Sequence, residues 1–241
     1  MRTLVPVLLA SLLLACNTQP PKPAQPWPQF LDAFMEDYFR ADPPFAVRQG
    51  RHEFDGQLPD WSRGAIEQRI AALKTSRLAA AGYDDAALTA QQRYEKQYLL
   101  SRIDSDLFWM DEVEQPFTNP AFYVNDEMDP SVYVARPYAP AGVRLKAFIA
   151  YARALPAAAA QIRANLRTPM PKTWVDLAQK SFDGYAAFFR KDVPKAFAGV
   201  KDRRLQRELK DAIGPAATAM DELAAWMKAE QARATDDFAL G

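Results

Sequence analysis

The chain has 241 residues, 49% hydrophobic and 12% aromatic, which is enough apolar material for a substantial core and excludes a disordered chain. Lys+Arg and Asp+Glu are equal at 30 each, so there is no surplus positive charge to neutralise phosphates, and nucleic-acid binding is excluded from the expected functions. Alanine is abundant and runs of β-branched residues are scarce, a composition that favours helix.

The first element is a targeting segment. Arg2 supplies a positive start, Leu4 to Leu14 is an apolar run, and Leu13-Leu14-Ala15-Cys16 closes it with small residues suited to a signal peptidase. The run is shorter than the roughly 20 residues needed to cross a bilayer, which argues against a transmembrane anchor. Leu-Leu-Ala-Cys resembles the bacterial lipobox, so residues 1–15 are expected to be a lipoprotein signal peptide and Cys16, the only cysteine, the lipidated N-terminus. An ordinary signal peptide with a chance cysteine is the alternative. Acylation would tether the chain to a membrane surface without spanning it. By resemblance to lipoproteins of Gram-negative bacteria, Asn17 in place of aspartate leaves outer-membrane sorting open and favoured, which implies the periplasmic face of the outer membrane. With Cys16 used, packing alone must hold the fold. Residues 16–29 carry Pro20, Pro21, Pro23, Pro26 and Pro28 and read as an extended tether.

The body, residues 30–241, reads as one helical domain. Trp27, Phe30, Leu31, Phe34, Met35 and Tyr38 share one face of a helix from about Pro28 to Arg40, which ends before Asp42-Pro43-Pro44. A turn-rich loop follows, Gly50 to Ser62, and holds the only histidine, His52. Ser62 or Asp60 caps a second helix with Ile66, Ile70 and Leu73 inside and Gly82 as the C′ residue just past its end. Thr89-Ala90-Gln91-Gln92 is a capping box for a third, whose apolar face is read as Tyr94, Tyr98, Ile103, Leu107 and Met110. Gln115 to Pro137 is irregular and long for a connection, which makes it a place to look for a site. A fourth helix opens at Ala139-Pro140 and is kinked or restarted at Pro156. A fifth carries Val175, Ala178, Phe182, Tyr185 and Phe189. The last carries Leu205 to Met227 through Gly214-Pro215, where a kink is expected. No strand-like alternation of useful length appears, so the fold class is all-α, an irregular array of about six to eight helices.

Several chemistries are tested by spacing. His52-Glu53 opens the helical zinc-protease motif His-Glu-x-x-His, but Gly56 stands where the second histidine belongs. There is no Gly-x-Ser-x-Gly elbow for a serine hydrolase. Asp126, Glu127 and Asp129 lack the central glycine and closing glutamate of a calcium loop, and with Glu112 and Glu114 are read as solvated surface carboxylates. Lys201, Arg203, Arg204, Arg207 and Lys210 interleave with Asp202, Glu208 and Asp211, which reads as a salt-bridged helix face.

A family resemblance emerges from residue order. Ala46-Val47-Arg48-Gln49-Gly50-Arg51-His52-Glu53-Phe54-Asp55, Leu58-Pro59-Asp60-Trp61-Ser62, Asn119-Pro120-Ala121-Phe122-Tyr123 and Arg136-Pro137-Tyr138-Ala139-Pro140 occur in sequence. They are followed by Arg144-Leu145, Ala152-Arg153-Ala154-Leu155-Pro156, Arg163-Ala164-Asn165-Leu166 and Gly184-Tyr185-Ala186-Ala187-Phe188-Phe189. Together they resemble the bacterial domain-of-unknown-function family 885 from about Phe30 to Gly241. The resemblance implies a fold similar to the N-terminal half of helical zinc carboxypeptidases, an envelope lipoprotein, and a His-Glu-x-x-Pro-Gly-His metal motif in the second half of a chain more than twice as long. No part of that motif can be placed here, because position 56 is glycine and position 58 is leucine. The expectation is therefore an N-terminal portion of a zinc-dependent peptidase-like lipoprotein, with no catalytic or metal-ligating residue of its own and zinc only in the complete protein. His52, Glu53 and Asp55 are the candidate substrate contacts, a peptide the candidate substrate. An exposed apolar face is expected where the rest of the protein packs. The alternative is a non-catalytic helical lipoprotein that binds peptides or protein partners.

Overall fold

The computed structural model describes residues 25–124 and 127–237. The expected signal peptide, Cys16 and most of the tether lie outside the described residues. Helix α1 (Trp27–Ala41) buries Trp27, Phe34, Tyr38 and Phe39, with a proline in its first turn where no N–H is needed. The break expected before the proline pair lasts a single residue. Asp42 caps a short helix α2 (Pro43–Arg48), its carboxylate accepting the Phe45 N–H at 3.0 Å, and the two prolines fill the first turn. Proline there ends one helix and starts the next, which a pattern search reads as loop.

Helix α3 (Arg63–Ala81) is capped by Ser62, and Ile66, Ile70 and Leu73 are buried. Gly82 is the C-cap itself, one place earlier than the expected C′ position, with right-handed φ −72°. Helix α4 (Ala90–Leu107) has both hydrogen bonds of the Thr89–Gln92 capping box. Ile103, Leu107 and Met110 are buried as read from the sequence, but the stripe begins at Leu99, because Tyr94 and Tyr98 are 66% and 68% exposed. Tyr98 is one residue from Leu99, a rotation of about 100°, which carries it off the core face. A π-helical turn, Phe108–Glu112, ends α4.

The irregular segment contains α5 (Gln115–Thr118), a 3₁₀ turn Pro120–Phe122 and α6 (Ser131–Ala135). Four more helices follow: α7 (Ala141–Asn165), α8 (Lys172–Lys191), α9 (Val193–Ala196) and α10 (Arg203–Glu230). Both α7 and α10 continue through their internal prolines, Pro156 and Pro215. A buried proline-interrupted turn loses about 3 kcal/mol, and burial of Leu155, Ala158, Ala159 and Ile162 on one side of Pro156 offsets it. The expected all-α class holds. Among the described residues the strand-like element is a single bridge, Pro171 to Thr235, which folds the end of the described chain against the start of α8.

There are two cores. One joins α1, α3 and α4 through Trp27, Phe34, Tyr38, Ile70, Leu99 and Ile103. The other joins α7, α8 and α10 through Phe148, Phe182, Phe189, Met220 and Leu223. The irregular segment spans the seam, with Phe117 in the first core and Tyr123, Met128 and Tyr133 in the second.

The Gly50–Ser62 loop ties the halves together. Gly56 has φ +78°, and a Cβ there would lie 2.6 Å from both the Ala147 carbonyl oxygen and the Ala150 Cβ of α7. Its N–H donates to the Tyr133 hydroxyl at 2.8 Å. Trp61 donates its N–H to Gln161 Oε1 at 3.0 Å, and its carbonyl accepts from Asn165 Nδ2 at 2.6 Å. Gly56→Ala is expected to destabilise by roughly 2–4 kcal/mol, because backbone strain and a clash with a helix carbonyl act together. Gly50→Ala, at φ +89° with open space around it, is expected to lose about 1 kcal/mol from strain alone. Urea midpoints of the two variants check the difference; equal losses would show that the contact with α7 is slack.

Candidate functional site

The seam holds an open polar cavity of about 840 Å³. Its walls come from every element that meets there: Asp42 and Arg48 from the start and end of α2, Arg69 from α3, Arg102 and Asp106 from α4, Trp109 from the π turn, Glu127 before α6 and Arg136 after it. Four guanidinium groups face three carboxylates.

Tyr38 donates its hydroxyl hydrogen to Asp106 Oδ2 at 2.9 Å, and Arg102 Nη2 donates to the same hydroxyl oxygen at 2.8 Å and lies 3.0 Å from Asp106 Oδ1. Burial, with the Asp106 charge beside it, pushes the Tyr38 phenol up to about 12, so it remains a donor. Burial also raises the Asp106 carboxyl, against the pull of Arg102 and Tyr38.

Arg69 lies over the Tyr38 ring, 5.5 Å from its centroid, and 3.8 Å from Asp42 Oδ2. Burial acts to lower its pKa, but Glu127 and Asp42 hold it above the usual arginine value. Its Nε is buried and has no partner. Glu127 Oε2 is likewise buried and unpartnered. Burial, with Asp42 adding repulsion, pushes the Glu127 carboxyl up to about 7, while Arg69, the Trp61 indole and Arg48 pull it down. A buried donor or acceptor without a partner loses roughly 1–3 kcal/mol, so Arg69 and Glu127 are the least satisfied members of this charged cluster.

Glu127 corrects the reading of the Asp126–Asp129 cluster as solvated. Asp126 lies outside the described residues, and Asp129 accepts from the Ser131 N–H and hydroxyl at the surface. The missed residues did leave a trace: Arg69 sits between Ile66 and Ile70 and Asp106 between Ile103 and Leu107, charges inside buried stripes.

The sequence-chosen residues lie elsewhere. None of His52, Glu53 and Asp55 is among the residues lining the polar cavity. His52 stacks on Tyr138 with centroids 3.8 Å apart and 4° between planes. Asp55 joins them, 3.1 Å from His52 Nδ1 and accepting the Tyr138 hydroxyl at 2.8 Å. This clamp brings His52 and Asp55 together and holds the 3₁₀ turn His52–Phe54 to the entrance of α7. Glu53 turns away to Arg51 Nε at 2.6 Å, and Arg51 also holds Glu36 at 2.6 Å.

Among the described residues, no three His, Cys, Asp or Glu side chains converge into a metal-ligating group. The cavity's carboxylates are interleaved with arginines, and a divalent cation would meet four positive charges there. Zinc does not fit these residues, and no step is assigned to it here. No described helix is long and apolar enough to cross a membrane.

The profile of the bacterial protein family of unknown function DUF885 matches residues 43–241. The chain belongs to this family. Among curated proteins, none matches. Among solved structures, a candidate lipoprotein of unknown function from Shewanella oneidensis is similar, with a TM-score of 0.77 and 21% identity over 87% of this chain. The DUF885 chain described here spans 38% of that protein's length, and at this identity the likeness is one of fold.

Titration of Glu127 gives a test of the cavity. The carboxyl has an ordinary value of 4.5 and is raised to about 7 in the folded protein. Between these values the folded state holds a proton that the unfolded state has released, so stability falls as pH rises through that window and the penalty is complete above about 7. The groups that face it are Arg69, Asp42, Arg48 and Trp61. Glu127→Gln is expected to leave stability at pH 4 unchanged and to raise it at pH 8 relative to the parent. Urea unfolding at pH 4, 6 and 8 measures this, and a variant that tracks the parent at every pH contradicts it.

Proposed function

We propose that this DUF885 chain forms one wall of the substrate cleft of a larger, envelope-anchored peptidase-like protein, and that the polar cavity at its seam is where that wall meets substrate. The observation that carries the reading is the open polar cavity itself, lined by four arginines and three carboxylates and large enough for a peptide segment. Gathering so many charges at a seam is unfavourable for folding alone, and a polar ligand would offset part of that. The structural relative is much longer than this chain, which supports a role as part of a larger body. The Cys16 lipobox, and the relative's own description as a candidate lipoprotein, support the envelope side of the proposal.

In this reading hydrolysis belongs to residues outside this chain, and zinc, held there, would activate water. What these residues do is bind and orient: the arginines attract anionic parts of a substrate, Tyr38 fixes the Arg102–Asp106 pair, and Trp109 supplies an apolar flank. His52, half-exposed and braced by Asp55, and Glu53 are outlying contacts for a substrate that extends beyond the cavity.

The test compares two proteins. The purified 241-residue chain is expected to cleave no peptide and to retain no stoichiometric zinc after dialysis. The product of the longest reading frame containing it is expected to do both. A longer product that binds zinc but never hydrolyses peptides supports the non-catalytic binding alternative, and zinc retained by the short chain overturns the division of labour.

A further inference from the structure

An apolar groove of about 240 Å³ lies between α1 and α4, lined by Leu31, Phe34, Met35, Tyr94, Tyr98 and Leu99. The two helices run side by side in the same direction: Trp27 Nε1 donates to Glu95 at 2.9 Å at one end, and the Tyr38 hydroxyl donates to Asp106 at 2.9 Å towards the other. Apart from the two tyrosine hydroxyls, the polar side chains at the groove already have partners within the chain. Glu95 accepts from Trp27 and from Gln91, and Arg102 and Tyr38 share Asp106. Glu95 and Arg102 also leave the groove without net charge, so nothing there selects an ion. What stays unmet is apolar surface. Among the described residues seven large hydrophobic side chains are exposed, and four of them, Tyr94, Tyr98, Phe108 and Trp109, belong to α4 and its π turn, which concentrates the open apolar surface on this one helix.

We propose that the α1–α4 groove is the docking site for an amphipathic helix from the additional polypeptide of the larger protein. Length supports that occupant. The Shewanella relative matches 87% of this chain with only 38% of its own, so more than half of it has no counterpart here and needs a surface to pack on. The shape of the groove supports a helix. Two helices side by side leave a furrow that takes the side-chain ridges of a third, and a helix brings no unpaired backbone groups to an apolar surface. The furrow runs from Leu31 to Tyr38 on α1 and from Tyr94 to Arg102 on α4, about 10–12 Å, which matches two turns of a docked helix. Tyr94 and Tyr98 suit such an edge, each with an apolar ring to be covered and a hydroxyl to leave in water. Phe45 and Arg102 line both the groove and the polar cavity, so a helix docked here stands next to the cavity, where a second wall of the cleft belongs.

The inference rests on the reading of this chain as part of a larger protein. Its test is the covering of one helix face, whereas that reading turns on peptide hydrolysis, so either can fail alone. With Cys16→Ser removing the only thiol of this chain, Tyr98→Cys is placed in the 241-residue chain and in the product of the longest reading frame containing it. Maleimide labelling at this site, read by mass spectrometry, is expected to be fast in the short chain. In the longer product it is expected to be at least about tenfold slower, because a packed interface must open before the thiol reacts. Tyr98→Asp gives a second measurement. It is expected to leave the urea midpoint of the short chain nearly unchanged, since the side chain is 68% exposed there. It is expected to lower the midpoint of the longer product by roughly 0.5 M or more, since the charge is then buried without a partner. Equal labelling in the two proteins overturns the proposal, as does an equal response of the two midpoints. Protection in the short chain that grows with its concentration also overturns it and places a second copy of this chain in the groove. A reading frame that stops after Gly241 leaves no occupant and overturns it outright.

Discussion

Gly56 lies so close to α7 that the Ala147 carbonyl occupies the place a side chain would need. This approach is what joins the two helical layers. It brings Trp61 to Gln161 and Asn165, places the Trp61 indole against Glu127, and lets Tyr133 and Tyr138 close over the loop from the far side. The irregular segment adds a second tie, with the Arg167 N–H donating to the Phe117 carbonyl at 2.9 Å, and together they hold the walls of the cavity at a fixed separation.

The cavity is where this arrangement is least comfortable. Moving an ion from water into a protein interior loses several kcal/mol, and pairing recovers that only when geometry is good. The Tyr38–Arg102–Asp106 cluster is well paired, with contacts of 2.8 to 3.0 Å. Arg69 is not: its contact with Asp42 is 3.8 Å and one of its donors is empty. The cluster therefore divides into a well-paired half, Tyr38 with Arg102 and Asp106, and a less satisfied half, Arg69 with Glu127. A π-helical turn and a left-handed Glu114 (φ 53°) lie at its edge, local departures of the kind that gather near sites. Arg167 Nη2 fixes Glu114 at 2.6 Å.

The sequence made some of this legible and hid the rest. Family order could be read from short motifs, and the family match over residues 43–241 agrees with it. Attention went to His52 because it is the only histidine and neighbours Glu53. The structure uses it as a stacking partner for Tyr138. The cavity drew no attention because its residues come from positions as far apart as Asp42 and Arg136, and no spacing rule connects them. Only Arg69 and Asp106, charges inside apolar stripes, announced themselves locally.

Periodicity, capping residues and prolines, all local, determined that the chain would be helical and where most helices would start. They could not decide whether Pro156 would kink its helix or restart it, because that depends on burial supplied by neighbours, whereas the last helix runs through Pro215 as its pattern implied. Nor could they place Tyr94 and Tyr98 on the open side of α4, since the same residues satisfy a helical pattern whichever face the partner helix selects. The burial of Glu127 and the isolation of Arg69 were decided by the meeting of two layers. A carboxylate's solvation depends on what surrounds it in space, and that information is not carried by its neighbours in the chain.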